Sequence, residues 1–155
     1  MIPFFEDLLD RFHELFTDVE KAFVDLPQEA LDWKPGLDMN SICVLIVHLT
    51  GSTRYWVGDV AMGDPSNRDR EAEFHAGGLD ANDLRGRLQD TEAYLQSAFE
   101  KLTLQDLEAL RNSPRNNRQF TVAWALMHAL EHTAIHLGHI QIMRQLWLQK
   151  EHSLG

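Results

Sequence analysis

The chain carries a single cysteine, Cys43, so it can close no internal disulfide. That usage suits a reducing compartment, and a cytoplasmic location is the expectation. Cys43 lies in the apolar run 42–47 and reads as a small buried hydrophobe rather than a nucleophile. Basic residues are scarce: 14 Lys and Arg face 24 Asp and Glu, for a net charge of −10. Phosphate backbones and anionic lipids both demand a basic face, so neither nucleic acid nor membrane is an expected partner. No apolar stretch approaches the ~20 residues of a membrane span, and nothing at the start reads as a secretory signal. Also missing are a glycine-rich phosphate loop, a nucleophile elbow, paired catalytic carboxylates, repeats and convincing strand signals.

Hydrophobic residues make up 44% of the chain, with four Trp and eight Phe. This is the composition of an ordinary soluble globular protein. A length of 155 residues suits one domain, 1–155, with a real core.

Four segments read as helices. In the first, residues 3–26, Phe4, Leu8, Phe12, Leu15, Phe16, Val19 and Phe23 recur at three-to-four spacing. Pro3 suits a first turn and Pro27 a stop. A loop around Pro35 and Gly36 leads to the second helix, about 41–61, with Asn40 or Ser41 as cap. It is nearly all apolar to Leu49 and should be the most buried element. Residues 62–79 are polar and read as a long connection, either functional or a crossover. The third helix covers about 80–102, with Asp80 as cap and Leu84, Leu88, Thr91, Leu95, Ala98 and Leu102 facing inward. A second connection spans 104–119. The fourth helix runs from about Thr121, a candidate cap, to Gln149. The expected fold is all-α, an antiparallel four-helix bundle.

Histidine supplies the chemistry. His132 and His136 are an i, i+4 pair, with Cβ atoms roughly 6 Å apart on one helix face. A third ligand must come from another segment, and His48 on the apolar second helix is the candidate. Three His from two helices, with no Cys nearby, form the ligand set of an open, catalytic-type divalent site. Three solitary core histidines are the alternative. A second alternative is His128-Ala-Leu-Glu131-His132, which matches the inverted zinc-peptidase motif, with Glu131 as base. Otherwise Glu131 would serve as hydrogen-bond partner to a ligand imidazole. His13, His75 and His152 read as surface residues, and nothing marks Asp59 or Glu6 for a site. Trp33, Tyr55, Trp56 and Trp124 read as core. Arg115 and Arg118, just before the last helix, are solvated loop charge by default and candidates to hold an anionic substrate.

These pieces together resemble the DinB-like superfamily. The likeness rests on Leu31-Asp-Trp-Lys-Pro-Gly36, on Asn40-Ser-Ile-Cys-Val-Leu-Ile-Val-His48-Leu, and on Leu126-Met-His-Ala-Leu-Glu-His132-x-x-x-His136-x-Gly138-x-Ile140. It runs from about residue 3 to 149. The resemblance implies a DinB/YfiT-like four-helix bundle whose divalent metal is held by His48, His132 and His136. The family often has polar residues directly before and after the last ligand. Here Ile135 and Leu137 stand there, which predicts a drier rim.

Zn or Ni is the expected ion, with coordination positions left open. The leading expectation is a thiol-dependent S-transferase acting on small electrophiles, as in detoxification or stress response. A low-molecular-weight thiol would be the co-substrate, since a cation beside it favours the thiolate. The alternatives are a small-molecule hydrolase using metal-bound hydroxide and a non-catalytic metal-binding stress protein. A homodimer is the expected assembly.

Overall fold

The computed structural model describes residues 1–154. Helix α1, Pro3–Phe23, starts at a proline whose missing N–H costs nothing in a first turn. It buries Phe5, Phe12, Leu15, Phe16, Val19 and Phe23. Phe4, expected inward, is 45% exposed, and Phe5 takes its place. Adjacent residues sit about 100° apart on a helix, so only one of them can join the stripe of Phe12, Phe16 and Val19. Pro27 precedes the short helix α2, Gln28–Asp32.

Helix α3 is Ile42–Arg54. Ser41 caps it, its Oγ accepting from the Val44 N–H at 3.1 Å. Every residue from Ile42 to Thr53 is buried except Gly51, which is half-buried, so this is the inner wall of the molecule. The helix continues into a π-helical stretch, Tyr55–Met62, where the sequence pattern predicts plain α-helix. Gly58 in that stretch lies so close against the Arg54 guanidinium that a Cβ would overlap it. Arg54 in turn stacks on the Tyr94 ring, 3.8 Å from its centroid.

The connection that follows contains one helical turn, α4, Arg70–Glu73. Helix α5, Ala81–Phe99, opens with a reciprocal cap. Asp80 accepts from the Asp83 N–H at 2.8 Å, and Asp83 accepts from the Asp80 N–H at 3.1 Å. The second connection is not the featureless loop the sequence suggests. It holds a 3₁₀ turn, Leu104–Glu108, and an antiparallel ribbon of β1, Leu110–Asn112, and β2, Gln119–Thr121. Leu110 pairs with Thr121 and Asn112 with Gln119. Three-residue strands are too short to print an alternation in the sequence. Helix α6, Val122–Leu154, begins where Thr121 Oγ1 accepts from the Trp124 N–H at 3.1 Å.

The four long helices form the expected bundle. Helices α1 and α3 each pack on both α5 and α6. The chain-consecutive pairs α1/α3 and α5/α6 therefore lie across the diagonals. The connections 24–41 and 100–121 are long because each must cross an end of the bundle. The 63–80 connection joins neighbours and needs no such length. It lies instead along α3, with α4 against that helix. Burying Phe12, Phe23, Phe99, Leu49 and Ile140 completely is worth roughly 1.5–3 kcal/mol per side chain. No described helix is long and apolar enough to cross a membrane.

Candidate metal centre

Helix α3 meets α6 along a polar seam within the core. Thr133 Oγ1 donates to the Ala129 carbonyl at 2.9 Å, which leaves Thr53 Oγ1 to donate to Thr133 Oγ1 at 3.1 Å. Both hydroxyls are buried, so a slip of one helix against the other would strand them. This register sets His48 of α3 opposite His132 and His136 of α6. His132 Nε2 lies 3.2 Å from His48 Nε2 and 3.2 Å from His136 Nε2. One ligand atom from each of the three falls within 4.8 Å of the other two. A tetrahedral ion with metal–nitrogen bonds of about 2.0–2.1 Å separates its ligand atoms by about 3.3 Å. The three imidazoles fit one divalent cation and leave its remaining positions to solvent or substrate.

The protonation states agree with that fit. Burial, then His136 and His48, push the His132 imidazole down from its ordinary 6.5 to about 3. Burial, then His48 and His139, push His136 down to about 4. Both rings are neutral at pH 7, as a metal ligand must be. Below pH 6.5 the unfolded chain takes up protons at these two positions and the metal-free folded chain does not. Stability therefore falls as pH drops from about 6.5 toward about 4. Thermal melts of metal-free protein should show this slope, and the double variant His132→Gln/His136→Gln should flatten it. Equal slopes in both proteins would refute the assignment.

His48 and His132 of the triad open into a cavity of about 220 Å³. Ser52, Trp56, Arg68, Arg70, Arg115 and His128 line it beside His48 and His132. No carboxylate is among these residues, although the chain as a whole carries a net charge of −10. With Arg68 paired to Glu73, Arg70 and Arg115 make the rim cationic rather than dry. Ile135 is 51% exposed and Leu137 is buried in the core, so neither shapes it. Trp56, expected in the core, is a cavity wall. Trp124 is exposed and stacks on His128, ring centroids 4.8 Å apart. Arg115 lines the mouth, whereas Arg118 lies over Phe120 away from it.

The H-x-x-E-H arrangement does not assemble. Glu131 is exposed, and its carboxylate is 3.7 Å from His128 Nδ1. The partner of a triad imidazole is instead Glu73, whose Oε2 lies 2.8 Å from His48 Nδ1. Burial works against the Glu73 charge, but hydrogen bonds from Arg68 and His48 hold its carboxyl below the usual range. His136 Nδ1 lies 3.2 Å from His139 Nδ1, and His132 Nδ1 is buried with no partner among the described residues. Asp59 accepts from the Ser66 N–H and pairs with Arg54 at 3.5 Å, away from the triad. Glu6, His13, His75 and His152 are exposed. Cys43 is buried and its thiol is pushed up by that burial, which leaves it no nucleophilic role.

The chain is thus a four-helix bundle with diagonal connections and a three-imidazole cluster between two of its helices. The sequence profile of the DinB superfamily matches residues 11–140, and the chain belongs to that superfamily. No curated protein sequence matches it significantly. Solved structures share the fold, among them the following two. A conserved protein from Enterococcus faecalis superposes with a TM-score of 0.77 at 12% identity, over 94% of this chain and 98% of that one. YfiT from Bacillus subtilis superposes with a TM-score of 0.74 at 15% identity, over 95% and 90%. YfiT is described as a probable metal-dependent hydrolase with an unusual four-helix bundle topology.

Proposed function

We propose that the chain is a divalent-metal-dependent enzyme, with His48, His132 and His136 as ligands, that transfers a small anionic thiol to an electrophilic carbon. The observation that carries this reading is a three-imidazole cluster beside a cavity whose lining includes Arg70 and Arg115 and no carboxylate. A cation held there, zinc or nickel, supplies Lewis acidity that lowers the pKa of an acid beside it. The chain's own residues do the rest. Arg115 and Arg70 hold the carboxylate of a low-molecular-weight thiol. Trp56 covers its apolar part. His128, which lines the same cavity, accepts the thiol proton. The sulfur forms the new bond to carbon and the leaving group departs. Detoxification of reactive electrophiles in a reducing cytoplasm, by a homodimer of single-domain chains, is the setting we infer.

The test is an S-conjugation assay with zinc- or nickel-loaded protein, a carboxylate-bearing thiol and a chromogenic aryl halide. Turnover should require both metal and thiol. Arg70→Gln/Arg115→Gln should raise KM for the thiol about a hundredfold or more, since each of the two lost charge-assisted hydrogen bonds is worth about 1.5–3 kcal/mol. A second reading has one specific support, the description of YfiT as a probable hydrolase. It predicts cleavage of activated esters or amides with no thiol present. Metal-loaded protein inert in both assays would leave a non-catalytic metal-binding role.

A further inference from the structure

We infer that Glu73, clamped by Arg68 and seated on Gly51, is the positioning residue that fixes His48 as an Nε2 ligand; this rests on the metal-site reading above. Glu73 comes from the 63–80 connection, which lies along α3 without being needed to join α3 to α5. The side chains of His48, Glu73 and Arg68 are only 9%, 7% and 7% exposed. Arg68 grips both carboxylate oxygens, Nε to Oε1 at 2.5 Å and Nη2 to Oε2 at 2.8 Å. A carboxylate held ionised by a guanidinium can only accept, so the Nδ1 of His48, 2.8 Å from Oε2, carries the proton. The Arg68 Nη2 at 3.5 Å from that nitrogen is then donor against donor and makes no bond. With the proton on Nδ1, the His48 lone pair sits on Nε2, the atom that faces His132. Phe74 packs against the His48 ring, centroids 5.0 Å apart, and limits its rotation.

Gly51 makes the arrangement sterically available. A Cβ at position 51 would overlap Glu73 Oε1 and lie 3.1 Å from its Cδ. The carboxylate cannot swing aside cheaply, because Arg68 holds both of its oxygens. A glycine inside a helix costs about 1 kcal/mol relative to alanine, and here that cost admits a carboxylate to the face that carries His48. The other two ligands have no such support: His136 faces His139, and His132 Nδ1 has no partner among the described residues.

The test compares the full-length wild type with Glu73→Gln and Gly51→Ala. Two quantities are read: the zinc dissociation constant by chelator competition, and the His48 tautomer in metal-free protein by long-range ¹H–¹⁵N NMR. The His48 resonances are assigned by their loss in His48→Gln. The wild type should show the Nδ1–H form. Glu73→Gln keeps the side-chain volume, but its amide can also donate to Nδ1. It should mix the tautomers and weaken zinc binding about 10–100-fold, with about one equivalent still bound at saturation. Gly51→Ala should act in the same direction by displacing Glu73, and circular dichroism shows whether it folds. If it does not, Glu73→Gln carries the test. A Glu73→Gln protein with wild-type tautomer and zinc affinity within about twofold overturns the proposal. Wild type that binds no zinc defeats the metal-site reading instead. The metal-free tautomer still decides the clamp in that case, and an Nε2–H His48 in wild type overturns it.

Discussion

Elemental analysis of His132→Ala should find no stoichiometric metal, where wild type purified without a polyhistidine tag holds about one equivalent of zinc or nickel. Four-ligand structural zinc sites gain about 10–16 kcal/mol at neutral pH, so one ligand is worth on the order of 3–4 kcal/mol, a loss of more than a hundredfold in affinity. His132 should be the most severe of the three, because its Nε2 is the one 3.2 Å from both of the others. His48→Ala and His136→Ala should lose the ion as well. His128→Ala should keep it, since that imidazole stacks on Trp124 outside the triad. The reverse result, metal lost in His128→Ala and kept in His136→Ala, would restore the H-x-x-E-H arrangement. No metal in reconstituted wild type would end the metalloenzyme reading.

Arg68→Met should cost about 3–5 kcal/mol of folding stability, the usual penalty for removing one partner of a buried ion pair. Both side chains are only 7% exposed, so water does little to screen the Glu73 charge left behind. Adding Glu73→Gln to Arg68→Met should restore most of the loss, because the uncompensated charge is gone and the neutral amide fills the same space. Urea unfolding of the wild type, the single variant and the double variant measures this directly. A single-variant cost below about 1 kcal/mol would mean that the pair behaves as an exposed one. Stability and metal binding part company here: the double variant regains stability without regaining the fixed His48 tautomer.

Helical periodicity carries most of the bundle in one dimension. Ser41, Asp80 and Thr121 cap their helices as their side chains require. The i, i+4 spacing of His132 and His136 places two imidazoles together whatever the rest of the chain does, because a helix repeats every 3.6 residues. The apolar surroundings of His48 mark it as inward-facing. These are local facts, set by backbone geometry and by side chains a few residues apart.

The remainder depends on contacts distant in sequence. The diagonal order of the helices follows from which apolar faces meet, and no local pattern encodes that. Glu73 and Arg68 sit in a polar stretch that reads as solvated loop, and DREAE carries no mark separating a buried carboxylate from an exposed one. Only the packing of α4 on α3 takes Glu73 out of water. Gly51 looks like a weak point in a helix until the carboxylate of Glu73 is seen against it. The cationic rim draws Arg70 from one connection and Arg115 from the other, so its charge belongs to no segment of the sequence. The sequence by itself determined the four helices and the three imidazoles, because both arise from periodicity along one axis. The tertiary structure alone decided what holds those imidazoles in place and what charge surrounds them, because burial and through-space electrostatics depend on neighbours that the chain brings together only when folded.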